Sequence, residues 1–150
     1  MSSRLVMVGS DSNAFEVANV MRERRVSAVV IEDSGKPIGI LTERDLARQV
    51  CAKDLLPSKT PATVIMSVPL ITIDKNSSIK TAAESMAKNG VRHLIVMEQN
   101  DGQTDPKIIG MITTTDIARY VKDKLLDTQE RAAYSVLDIL SEEPGEEAWL

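Results

Sequence analysis

The 150-residue sequence predicts an α+β protein assembled from two copies of one β-α-β-β-α unit. The first observation is an internal repeat: "VSAVVIED" from Val26 aligns with "VRHLIVME" from Val91, and "KPIGILTERDLARQV" from Lys36 aligns with "KIIGMITTTDIARYV" from Lys107. Eight of the 15 positions in the second alignment are identical. The second observation is that each copy alternates short apolar runs typical of strands with segments typical of helices.

In the first copy, strands are predicted at 6–8, 26–32 and 38–41, and helices from about 12 to 25 and from 42 to about 53. Asp11 or Ser12 is expected to cap the first helix, because short polar side chains accept hydrogen bonds from free backbone N–H groups. The run at 26–32 is apolar rather than alternating, which indicates a buried strand. Gly35 is expected in the turn that follows, since glycine accepts positive φ.

The second copy repeats this order, with Gly90 as a helix stop and six extra residues in a polar hairpin loop. The predicted division is a first repeat at 1–52, a linker and lead-in helix at 53–69, a second repeat at 70–126, and an acidic C-terminal helix and tail at 127–150. The final helix is expected to reach about residue 140. "SVLDILSEEP" at 135–144 resembles "TVIMSVP" of the linker, and we interpret it as an opening helix of the repeat displaced to the C-terminus.

Composition and charge narrow the class of protein. Hydrophobic residues make up 43% of the chain and aromatic residues only 3%, so the core must be aliphatic. The formal net charge is −4, with seven acids and one arginine in the tail, so that the body carries +2. This balance predicts no nucleic-acid partner. With a single cysteine, Cys51, and no signal peptide or membrane span, the expected location is the reducing cytoplasm.

Catalysis is not predicted. The chain has one histidine and one cysteine, no phosphate-binding glycine motif, and no cluster with the spacing of a metal site. Cys51 follows apolar helix residues and is interpreted as a packed thiol.

The duplicated Thr-x-x-Asp motif is more informative. Thr42 with Asp45, and Thr113 with Asp116, stand where a strand gives way to a helix. A helix cap explains such a pair, because threonine accepts a backbone N–H and aspartate complements the helix dipole. The same geometry suits a ligand, because free N–H groups attract phosphate and a carboxylate accepts the two hydroxyls of a ribose. The residues alone leave both readings open.

Arg92 and His93 begin the buried strand of the second copy, where burial without a partner would be costly. We expect them at an edge or cleft, in contact either with phosphate or with a surface acid and core hydrogen-bond partners.

Gly39 and Gly110 lie within strands and indicate a bulge, or a close approach by another backbone or a ligand.

The sequence resembles a tandem CBS-domain protein, the paired module named after cystathionine β-synthase. The residues that carry the resemblance are "VSAVVIEDSGKPIGILTERDLAR", "GVRHLIVM" with "KIIGMITTTDIAR", and the lead-in "VIMSVPLITI", and it covers about 5–125. It implies two repeats that pack through their sheets about a pseudo-twofold axis, with two clefts between them. The buried strands here contain Val29 and Ile95 near positions where the family often has proline.

The resemblance also implies which residues line the two clefts. One cleft would place a ribose on Asp116 and be lined by Val6, Val26, Ser27, Ala28, Thr113, Thr115 and Asp116. The other would be lined by Thr42, Arg44, Asp45, Ile71, Val91, Arg92 and His93, with Arg92 and His93 as phosphate contacts.

The function implied is a regulatory sensor that binds an adenosine-type ligand such as AMP, ADP, ATP or S-adenosylmethionine, with no metal or other cofactor. A homodimer is expected, with the apolar helix faces at 17–21 and 117–121 as its interface, and an unidentified regulated protein as a further partner. No membrane partner is expected. The alternatives are an interaction module with empty clefts that docks a partner protein, and a nucleotide hydrolase, against which the missing base, nucleophile and metal cluster argue.

Overall fold

The computed structural model describes residues 5–99, 102 and 105–126. The chain divides between Thr114 and Thr115 into two compact units. All six strands lie in the first unit, whereas almost the whole of the last described helix lies in the second. The predicted fold class is confirmed, because strands and helices follow one another in the order that the repeat predicts, and the strands form two three-stranded sheets.

The first repeat contains the β-α-β-β-α order in full: β1 (Met7–Gly9), α1 (Ala14–Arg24), β2 (Ala28–Asp33), β3 (Lys36–Thr42) and α2 (Glu43–Leu46). Strand β2 is central, parallel to β1 and antiparallel to β3. Helix α2 continues into a π-helical turn at Ala47–Cys51.

The second repeat has the same order: β4 (Thr72–Asp74), α4 (Ile79–Asn89), β5 (His93–Glu98), β6 (Lys107–Thr113) and α5 (Thr114–Leu126). Strand β5 is central, again parallel to the first strand and antiparallel to the third. The described part of α5 ends at Leu126, and its predicted extension to about 140 lies outside the described residues. The same holds for the segment at 135–144 and for the rest of the acidic tail.

The linker between the repeats is tied to the first of them. It contains a short 3-10 turn, Pro57–Lys59, and the four-residue helix α3 (Ala62–Ile65). The Ala14 N–H donates to the Thr60 carbonyl at 2.8 Å. The Ala62 and Ile65 side chains are buried in the core of the first repeat. The linker is therefore part of the packed core of the first repeat and not only a connection between the two repeats.

The cap of α1 differs from the prediction. Asn13, and not Asp11 or Ser12, is the N-cap: its side chain accepts from the Glu16 N–H at 2.9 Å, and the Glu16 carboxylate accepts from the Asn13 N–H. The physical reason is a tight turn before the helix, closed by the Ser12 N–H donating to the Gly9 carbonyl at 3.1 Å. This turn delays the first helical residue to Ala14.

Two apolar clusters hold the first unit together. The larger lies between the first sheet, α1 and α3, and includes Val17 and Met21. The smaller joins the two sheets through the buried side chains of Ala28, Val30, Ile95 and Met111. Because side chains alternate along a strand, β2 supplies one cluster with one face and the second cluster with the other. The expected packing of the repeats through their sheets is confirmed.

A bulge recurs at the same place in both repeats. The register shifts between Ile31 and Glu32 opposite Gly39, and between Val96 and Met97 opposite Gly110. Gly39 also permits a close approach, since a Cβ atom there would stand 2.5 Å from the Met66 sulfur and 3.2 Å from the Ser67 carbonyl oxygen. Both reasons predicted for these glycines thus apply to Gly39.

Among the described residues, no helix combines the length and the apolar character that a membrane crossing requires.

Candidate functional site

The repeats meet where their central strands begin. Ser27 directly precedes β2, and His93 is the first residue of β5. The Ser27 Oγ and His93 Nε2 atoms are 3.5 Å apart, although 66 residues separate them in the chain. His93 is half-buried, and Arg92 beside it is exposed. Neither side chain is thus fully buried in the core, in keeping with the expectation, while their contact with a phosphate stays a prediction.

Each strand start is fixed to a helix start by the backbone. The Glu43 N–H donates to the Ser27 carbonyl at 3.0 Å, which holds the beginning of α2 beside the beginning of β2. In the second repeat the Thr114 N–H donates to the Arg92 carbonyl at the same distance. In each repeat, a main-chain hydrogen bond thus holds the residue before the central strand beside the first residue of the following helix.

Positive charge collects at the start of α2. Partial burial lowers the pKa of Arg44, and the neighbouring positive charges of Arg92 and Arg48 lower it further, while Asp45 opposes them. Arg44 comes from the first repeat and Arg92 from the second, so the two sheets together bring two guanidinium groups into each other's field. An anion placed there would relieve the repulsion.

Asp45 belongs to a capping box. The Thr42 N–H and hydroxyl donate to Asp45 Oδ2 at 2.9 and 3.1 Å, and the Asp45 N–H donates to Thr42 Oγ1 at 3.2 Å. The capping reading of this motif is thus confirmed, and it leaves Oδ1 on the side away from Thr42. Ser67 donates to that Oδ1 atom at 3.1 Å.

Sequence reasoning did not identify Ser67. It lies in the linker, 22 residues from Asp45, and only the pairing of the linker with β3 brings it close. The lead-in "VIMSVP" contains it, but nothing in that string marks the serine as a partner of an aspartate.

The apolar residues predicted with Arg44 and Asp45 line the beginning of β5. Ile71 and Val91 are half-buried. The Ile95 N–H donates to the Ile71 carbonyl at 3.0 Å, which places Ile71 alongside β5 just before β4 begins.

The set predicted for the other cleft is placed in both units. In the first unit, Val6 and Val26 pack against the larger core cluster, and Ala28 is buried between the sheets. Thr113 ends β6 and is half-buried.

Asp116 and Thr115 belong to the second unit, in the first turn of α5. Thr115 is exposed, whereas the Asp116 side chain is only 8% exposed. Its Oδ1 atom is 3.9 Å from Nη1 of Arg119, one turn along the same helix.

Two further expectations are wrong. Cys51 is exposed, not packed, because it ends the π-helical turn while Val50 supplies the buried side chain there. Val17 and Met21 are buried in the core of the first repeat and so cannot supply the predicted dimer surface. Within the described ranges, no group of three or more His, Cys, Asp or Glu side chains could hold a metal ion.

Comparison with known proteins identifies the repeat. The CBS domain matches twice, at residues 1–52 and 62–123. An uncharacterized protein of Methanocaldococcus jannaschii is 38% identical over 127 residues, 85% of this chain and 62% of that protein. An uncharacterized protein of Methanopyrus kandleri is 35% identical over 119 residues, 78% of this chain and 58% of the relative, so the chain spans less than two thirds of either protein.

A solved structure of a CBS domain protein of Pyrobaculum aerophilum, complexed with AMP, has a TM-score of 0.69 at 24% identity and covers 85% of this chain and 95% of its own. The CBS domain pair of protein MJ0100, in complex with 5-methylthioadenosine and S-adenosyl-L-methionine, has a TM-score of 0.70 at 23% identity, covering 83% and 93% of the two chains. At these identities the likeness shows the fold. With both repeats matched, the chain belongs to the CBS-domain family, as a tandem pair of CBS repeats.

Proposed function

We propose that this chain is a regulatory module that binds an adenosine-type nucleotide at the start of α2 and has no catalytic activity of its own. The observation that carries the proposal is the convergence of Arg44, Arg92 and His93 beside the Thr42–Asp45 cap. Relatives of the same fold that are complexed with AMP and with S-adenosyl-L-methionine support the adenosine part.

The phosphate would be held by the cations. Arginine is suited to this role, since its planar guanidinium group makes paired hydrogen bonds to phosphate oxygens. The positive charge of Arg92 contributes to the lowered pKa of Arg44, so a dianionic phosphate beside both would replace this repulsion with attraction. His93 would contribute a third donor from the second repeat.

The ribose and the adenine of the ligand would contact the other residues of this set. Asp45 offers a carboxylate that accepts ribose hydroxyls, and the half-buried side chains of Ile71 and Val91 offer an apolar wall for adenine. The set that includes Asp116 stays a prediction for a second ligand. Because that set has no cation equivalent to Arg44, we expect it to favour ligands with less negative charge.

Calorimetric titration of ligand-free protein with AMP, ADP, ATP and S-adenosylmethionine tests the proposal. We expect binding of at least one ligand, weakened about 10- to 100-fold by Arg92→Ala, which is the usual range for a lost charge-assisted hydrogen bond. Arg22→Ala, at an exposed position of α1, is the matched control and should bind as the parent does. Ligand at about 100 times its dissociation constant should add about 2.7 kcal/mol to the free energy of unfolding.

A docking module is the second candidate, because apolar side chains of the linker are open to solvent. Leu56, Val64 and Val68 are 60%, 73% and 61% exposed. A melting temperature that none of the four ligands changes, in protein shown to be ligand-free, would favour this candidate. Homodimer formation and a regulated protein partner belong to both candidates as proposals, and Tyr120 and Val121 remain exposed for such contacts.

A further inference from the structure

The carboxylate of Asp45 is nearly saturated before any ligand arrives. Among the described residues it accepts three hydrogen bonds, two at Oδ2 from Thr42 and one at Oδ1 from the Ser67 hydroxyl. A carboxylate offers about four lone-pair positions. Only one position, on Oδ1, therefore remains for a new donor.

Ser67 is held in place by its backbone and not by its side chain. Its N–H donates to the Ile40 carbonyl at 2.7 Å, and its carbonyl accepts from the Ile40 N–H at 3.1 Å. Gly39, next to Ile40, leaves room for Met66 to pack beside β3. Because these contacts are independent of the hydroxyl, the Ser67 side chain can release Asp45 while the linker stays paired with β3.

A ribose diol brings two hydroxyl donors to a carboxylate that has one lone-pair position left. Of the three present donors, the two from Thr42 belong to the cap that begins α2. The Ser67 hydroxyl is solvent-exposed and can exchange Asp45 for water at small cost. It is therefore the donor that a diol would displace.

We propose that Ser67 determines specificity in the Asp45 site by competing with the ribose diol for Oδ1. The inference rests on the proposed function and adds to it a residue of the linker. Ligands with both ribose hydroxyls must displace Ser67, whereas ligands with one hydroxyl can use the remaining position. Binding of a diol then frees the Ser67 hydroxyl from Asp45, so the hydrogen bonding of this linker residue depends on which ligand is bound.

The test compares AMP and ATP with their 2′-deoxy forms on the wild type, on Ser67→Ala and on Ser58→Ala, an exposed linker serine that serves as control. Removing the competitor should tighten binding of the ribonucleotides about 3- to 10-fold, the net contribution of one exposed hydrogen bond whose donor can turn to water instead. Binding of the deoxy forms should change less than about 2-fold. Ser58→Ala should leave both affinities as they are.

The outcomes separate this inference from the proposed function. If Ser67→Ala leaves ribonucleotide binding unchanged or weakens it, the proposed competition is overturned and the proposed function stands. The same holds if Ser67→Ala tightens binding of the ribonucleotides and the deoxy forms equally. Tighter ribonucleotide binding alone supports it, as does binding by Ser67→Ala where the wild type shows none. Absence of binding by every protein to every nucleotide would overturn both.

Discussion

The first and second repeats share their topology and bulge position but differ in the charges at the two motifs. Arg44 of the first repeat corresponds to Thr115 of the second, and Ser27 corresponds to Arg92. As a result, the residues expected to line one cleft contain two arginines and a histidine, while those expected to line the other contain no cation. Positions that the backbone requires are alike in both copies, and positions that are predicted to face a ligand are not.

The paired aspartates show the same contrast. Asp45 accepts from Thr42 and from Ser67 of the linker, and Asp116 lies near Arg119 on its own helix. Two identical motifs therefore present carboxylates with different neighbours. A shared motif predicts a shared cap, but it does not predict a shared ligand.

The largest effect is expected where the repeats differ in charge. Arg44→Thr gives the first repeat the residue of the second, and we expect phosphate-bearing ligands to bind about 10- to 100-fold more weakly. Calorimetry with ATP measures the change, with Arg22→Thr as the control for loss of one positive charge. Equal affinity in Arg44→Thr and the wild type would contradict the difference drawn between the two repeats.

Gly39 and Gly110 occupy equivalent bulges with different surroundings. Gly39→Ala forces its Cβ toward Met66 and the Ser67 carbonyl, so we expect the free energy of unfolding to fall by about 1–3 kcal/mol. For Gly110, no atom of the described part of the chain lies within 4 Å of the Cβ position, so Gly110→Ala should cost less. Urea unfolding compares the two variants.

A Met66→Ala background provides the control for this comparison. Shortening Met66 removes the two nearest contacts of the added Cβ, so Gly39→Ala should cost clearly less there. An undiminished cost would show that the Met66 side chain is not the cause.

The helices α1 and α4 end alike but with different residues. Arg25 has φ 54° and Gly90 has φ 61°, both in the left-handed region that favours glycine. Arg25→Gly should stabilise the protein slightly, by up to about 1 kcal/mol, and Gly90→Ala should destabilise it by about the same amount. Thermal unfolding measures both, and shifts of the same sign would be inconsistent with left-handed caps in both repeats.

The smallest effect is expected at an exposed pair. Lys75 forms an ion pair with Glu98, at the positions where the first repeat has Ser10 donating to Asp33 at 3.2 Å. The hydrogen bond and charge of Lys75 lower the pKa of Glu98, and those of Glu98 raise the pKa of Lys75. The pair therefore stabilises the fold at neutral pH.

That contribution is lost as the pH falls through the lowered pKa of Glu98, or rises through the raised pKa of Lys75. Lys75→Ser should cause a small loss near neutral pH that vanishes in acid and shrinks with added salt, because exposed charges are screened. Urea unfolding across pH and salt checks this. A loss that persists in acid would point to packing of the lysine stem instead.

Much of the fold could be predicted because both copies of the repeat show the same pattern of strands, helices and turns. Local pattern alone predicts buried strands at Val30 and Ile95, and at Gly39 and Gly110 it predicts either a bulge or a close approach. The cap of α1 was misplaced because Asp11, Ser12 and Asn13 are all good capping residues. Only the turn from Gly9 to Ser12 decides among them.

The sequence by itself determined the duplication and the order of strands and helices, since these depend on neighbours along the chain, and it offered a cap as one of two interpretations of Thr42. Only the tertiary structure decided that Ser27 meets His93, that Arg92 reaches the field of Arg44, and that Ser67 donates to Asp45. Those contacts join residues of different repeats, or of a repeat and the linker. They arise from sheet packing and strand pairing, which no local pattern contains.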